Sequence, residues 1–69
     1  MIIKKEFNMQ EAKEIIPVLN CNLVMNDISF DQTNYFRNKE FIVCEWKFEN
    51  ITEDKKDIIN NTFREGIIF

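Results

Sequence analysis

Histidine is absent from these 69 residues, and glycine and proline occur once each, as Gly66 and Pro17. Each shortage excludes a kind of chemistry. Acid–base catalysis most often runs on imidazole, so the commonest proton-transfer machinery is missing. With one glycine there is no Gly-rich loop to cradle a phosphate. The two cysteines, Cys21 and Cys44, stand far apart in sequence. Without histidine and without a Cys-x-x-Cys spacing, a zinc site is not expected. No regular run of oxygen ligands suggests another metal, and no motif implies a cofactor.

Long apolar runs are missing too. Met1-Ile2-Ile3 gives way at once to Lys4-Lys5-Glu6, which is no signal-peptide core, and nothing reaches the roughly 18 residues of a membrane span. The expectation is a cytoplasmic protein (host cytoplasm if phage-encoded) with no membrane contact and with reduced thiols. On that expectation the sequons at Asn50 and Asn60 stay unmodified.

What is present is apolar and aromatic. Eleven Ile, seven Phe, one Trp and one Tyr are many for so short a chain. A single small core hides only part of them, and the surplus points to self-association or a docking surface. Asn, Ile, Lys, Phe and Tyr supply 35 residues, all with AT-rich codons, which suggests a low-GC genome or a mobile element. Net charge is −3, from twelve acids and nine bases. That balance argues against nucleic acid as the partner, since a phosphate backbone selects a basic face.

Along the chain, residues 2–7 read as a strand. Asn8, with Glu11 three residues on, makes a helix start of capping-box type. Met9, Ala12, Ile15, Ile16 and Leu19 form one stripe, predicting a helix from 9 to about 16 that ends or kinks at Pro17. Leu23–Phe30 reads as a strand. Asn38-Lys39 is predicted as a two-residue hairpin turn, setting Arg37 opposite Glu40, Phe36 opposite Phe41 and Tyr35 opposite Ile42. Residues 40–49 form the most strongly marked strand, with Ile42, Cys44, Trp46 and Phe48 toward the core. Thr52 caps a second helix whose buried stripe is Ile58, Ile59, Thr62 and Phe63, with Asn50 the rival cap. Gly66 fits its C-terminal cap. The apolar Ile67-Ile68-Phe69 is expected to pack on the sheet as a possible last strand. The fold class is therefore α+β: a single domain over 1–69, a small two-layer β-α-β-β-α arrangement with two helices on one face of a three- or four-stranded, mainly antiparallel sheet.

No catalytic residues emerge, and the chain is read as a non-enzyme. Cys44 reads as a core thiol, and neither cysteine has the positive neighbourhood of a reactive thiolate. The candidate protein-binding surface is the far side of the hairpin, from Tyr35, Phe36, Glu40, Phe41, Val43, Glu45 and Glu49. This is an apolar spot edged by acids. The acidic start of the second helix, Glu53, Asp54 and Asp57, is the second choice. The expected function is a small acidic protein-binding module, an inhibitor or antagonist of a host nucleic-acid-processing or defence protein of phage or mobile-element type, whose carboxylates could mimic nucleic acid. The alternative is an antitoxin-like or homodimeric accessory subunit.

Overall fold

In the computed structural model, which describes residues 1–65, the order is β1 (Ile2–Asn8), α1 (Met9–Met25), β2 (Asp31–Phe36), β3 (Phe41–Lys47) and α2 (Glu53–Glu65). β3 is central: the sheet order is β1-β3-β2, and both pairings are antiparallel. The α+β class with a three-stranded antiparallel sheet is as the sequence indicates. The expected strand at Ile67-Ile68-Phe69 and the Gly66 cap lie outside the described residues.

β1 runs into α1 without a loop. Asn8 is both the last strand residue and the N-cap, its side chain accepting from the Glu11 N–H at 2.7 Å. The Met9 N–H, otherwise an orphan of the first helical turn, donates to the Glu40 carbonyl at 2.9 Å and prolongs the sheet ladder.

α1 does not stop at Pro17 but continues for two more turns, which corrects both the short helix and the strand expected at Leu23–Phe30. Pro17 is exposed, so its ring disturbs no packing, while Leu19 and Leu23 beyond it are fully buried. Their burial outweighs the lost hydrogen bond and steric conflict of roughly 3 kcal/mol that a mid-helix proline costs. The helix ends instead at a Schellman motif. Asp27 takes φ 57°; its N–H reaches the Val24 carbonyl, and the Ile28 N–H reaches Leu23, both at 3.0 Å.

The hairpin loop is longer than expected. The Asn38 side chain accepts from the N–H groups of Glu40 (2.8 Å) and Phe41 (3.0 Å), folding residues 37–40 into a four-residue loop closed by Arg37 N–H to Phe41. Phe36 therefore lies opposite Ile42 and Tyr35 opposite Val43, one residue away from the expected register. A slip of one residue exchanges sheet faces. Phe36 thus sits on the helix side, off the far-side surface expected for it, and Tyr35 sits on the open side beside Val43 rather than opposite Ile42.

The core centres on Trp46, which is fully buried. Phe63 of α2 meets its ring at 4.8 Å and Phe7 edge-on at 6.4 Å. Phe48 and Phe30 extend the aromatic cluster. Thr52 caps α2 as expected: its Oγ1 accepts from Lys55 N–H, and its carbonyl takes the first helical bond from Lys56. Ile59, Thr62 and Phe63 are buried, and the Thr62 hydroxyl is satisfied by the Ile58 carbonyl at 2.8 Å.

Candidate protein-binding edge

β2 is unlike its neighbours. Every residue of Asp31–Phe36 except Gln32 is exposed, with Phe36 at 69% and Tyr35 at 48%. Among the described residues it pairs on one side only, with β3. The direction of its free groups follows from the register. In an antiparallel ladder, alternate residues turn both N–H and C=O toward the same neighbour. Arg37 turns toward β3, bonding Phe41. So do Tyr35 and Thr33, and Gln32, Asn34 and Phe36 present their backbone groups outward.

One polar chain ties this edge to the core. The Trp46 indole N–H donates to Asn20 Oδ1 at 2.8 Å, Asn20 Nδ2 to Gln32 Oε1 at 2.7 Å, and Gln32 Nε2 to Asn34 Oδ1 at 3.0 Å. The buried indole is thereby satisfied, and α1 holds β2 from the helix side. Sequence reasoning passed over Asn20 because the helix was expected to end before it. The usable signal is its spacing of four from Ile16, on the flank of the buried stripe.

The open face of the sheet carries mixed charge. The Arg37 guanidinium donates to Glu6 at 2.7 Å, bridging the outer strands. That bond and the adjacent carboxylate charge raise the pKa of Arg37 above its ordinary value. Lys4 Nζ stands 5.8 Å from the centre of the Tyr35 ring. Val43, in the same row as Glu6 and Tyr35, is buried at 7% and offers no docking surface, contrary to expectation. Phe41 is half-buried, and Glu45 lies in the row of Lys4 and Thr33. Glu40 belongs to the hairpin loop, whereas Glu49 lies past the other end of β3, 4.0 Å from Lys47. A seven-residue strand separates these two acids by roughly 20 Å or more. The seven hairpin residues therefore fall on two faces and at two ends rather than in one patch. Glu53, Asp54 and Asp57 are exposed on α2.

Burial raises the pKa of the Cys44 thiol, an effect partly offset by the neighbouring Gln32 amide. Cys21 is exposed on α1, its Sγ 3.7 Å from Met25 Sδ. Among the described residues no three His, Cys, Asp or Glu side chains stand close enough to share a metal ion, and no helix is long and apolar enough to cross a membrane. A wide, open hollow of about 520 Å³ lies between Val24, Asp27, Ile28, Ser29 and Phe30, at the entry to β2. Comparison with protein-family models, curated proteins and solved structures finds no match for this chain.

Proposed function

We propose that this chain is a non-catalytic protein-binding module that engages its partner through β2. The carrying observation is the exposed strand, paired on one side only among the described residues, with Tyr35 and Phe36 standing out of it on opposite faces. An edge with outward N–H and C=O groups accepts an added strand, and flanking aromatics supply the apolar contact. In its finer form the module is an antagonist of a nucleic-acid-processing or defence protein in the cytoplasm of a low-GC host. Composition supports that form. Nucleic-acid mimicry draws little support from the geometry, because Glu6 and Glu45 alternate with Lys4 and Arg37 on the open face. The second reading, a homodimeric accessory subunit, is favoured by the same edge, which has no second strand beside it among the described residues.

The test is capture from a low-GC bacterial lysate on immobilised wild-type chain and on Asn34→Pro. Proline at 34 removes an outward donor but no β2–β3 hydrogen bond, so the fold should persist. A protein held by the wild type and lost by the variant supports the reading. If the wild type holds no protein, itself included, the reading fails.

A further inference from the structure

We propose that the occupant of the β2 edge is a second copy of this chain, paired antiparallel about a dyad through Asn34 to form a continuous six-stranded sheet. This rests on the reading of β2 as a docking edge and deepens its homodimeric form.

The sequence of the edge is complementary to its own reverse. Pairing about Asn34 sets Asp31 opposite Arg37 of the second copy, Gln32 opposite Phe36, Thr33 opposite Tyr35, and Asn34 opposite its twin. Asp31 and Arg37 share the open face with Tyr35, because they alternate with it along the strand. The acid that begins the segment thus meets the base that ends it, twice by symmetry, and Arg37, which donates to Glu6 of its own chain at 2.7 Å, would then stand between two carboxylates. Opposite charges and a Thr–Tyr pair are among the favoured cross-strand partners. The backbone agrees with this register. Gln32, Asn34 and Phe36 turn their groups outward, so they form the hydrogen-bonded pairs, about six bonds in all.

Side chains on the helix face agree as well. Phe36 would lie opposite the second copy's Gln32, the residue that Asn20 holds. Val24, one turn from Asn20 on the same flank of α1, is 64% exposed and lines the hollow with Ile28 and Phe30. The dyad carries each Phe36 to the partner's Val24 and Phe30, covering Phe36 and Val24, two of the most exposed apolar side chains among the described residues.

Among the described residues β2 is also the less guarded of the sheet's two edges. β1 carries Lys4, Lys5 and Glu6 mid-strand, the charged residues that discourage edge pairing, whereas Gln32–Phe36 has neither charge nor proline.

Sedimentation equilibrium of the intact chain across a dilution series tests this, with circular dichroism and Trp46 fluorescence confirming the fold of each variant. The wild type should be a reversible dimer. Asp31→Arg and Arg37→Asp should each weaken it about tenfold or more, since each opposes like charges twice. Mixing those two variants, or combining both changes in one chain, restores opposite pairs and should restore dimerisation. Asn34→Pro should yield a folded monomer. A wild type that stays monomeric to roughly 1 mM, the weak end of the affinity scale, overturns the proposal. So does a dimer indifferent to these substitutions, or charge swaps that fail to rescue one another. A monomeric wild type that still captures a different protein through β2 sinks the dimer and leaves the broader reading standing.

Discussion

At Asn20 a single side-chain amide serves two strands, accepting from the Trp46 indole and donating to Gln32. Asn20→Ala would leave that indole N–H buried without an acceptor, which costs about 1–3 kcal/mol. It would also release Gln32 and the inner side of β2. Urea unfolding followed by Trp46 emission should show the midpoint falling with little change in slope. A midpoint equal to wild type would mean that the amide chain contributes nothing. The cysteines give a second test at this scale. Burial raises the Cys44 pKa and keeps the group a thiol at neutral pH, while Cys21 is exposed. In the native protein a disulfide reagent at pH 7–8 should therefore modify Cys21 promptly and Cys44 only after denaturant is added. Prompt reaction of both would show that Trp46 and its neighbours do not seal that part of β3.

α1 meets two local conflicts that tertiary packing overrides. Pro17 in α1 leaves the Lys13 carbonyl without its usual donor, yet the residue is exposed and packs against nothing in the core. Pro17→Ala should then raise stability by about 1–3 kcal/mol, read as a higher thermal midpoint. A loss would mean that the kink is needed to seat Leu19 and Leu23. Asp27 closes the same helix in the left-handed region and brings a carboxylate to the negative end of the dipole. Asp27→Gly relieves both and should add about 0.5–1 kcal/mol, read in the same melts. Lys55, whose Nζ donates to the Asp27 carbonyl, would keep its bond.

Those conflicts explain what the residues disclosed and what they hid. Both N-caps, Asn8 and Thr52, were legible because short polar side chains at helix starts act locally. So was the inner face of β3, Ile42, Cys44 and Trp46, with Phe48 just past its end, since strict alternation reports burial directly. The length of α1 was not, because the signal from one proline outweighed a stripe that runs on through Leu19 and Leu23. The hairpin register was missed because Asn38 uses its side chain, rather than positive φ, to bind two amides and lengthen the loop. That one residue moved Phe36 and Tyr35 to opposite faces. The candidate edge was thus half legible: its aromatics were identified, while its free strand, its acid–base ends and Asn20 behind it required the register.

For the whole molecule, the question is where the surplus of apolar side chains goes. Trp46 and its aromatic neighbours absorb Phe7, Phe48 and Phe63, yet Val24, Met25 and Phe36 remain more than 60% exposed. A chain of 69 residues has little core to spare, so association that covers part of this surface also supports the fold. Thermal midpoints of the wild type should therefore rise with protein concentration, and those of Asn34→Pro should not.

Amide hydrogen exchange resolved by residue and repeated at several protein concentrations addresses the β2 edge most directly. The outward amides of Gln32, Asn34 and Phe36 should exchange slowly in concentrated solution and speed up on dilution, while Thr33 and Tyr35, bonded to β3, should keep one rate throughout. If the three outward amides exchange fast at every concentration, and no added protein slows them, β2 is not a docking edge.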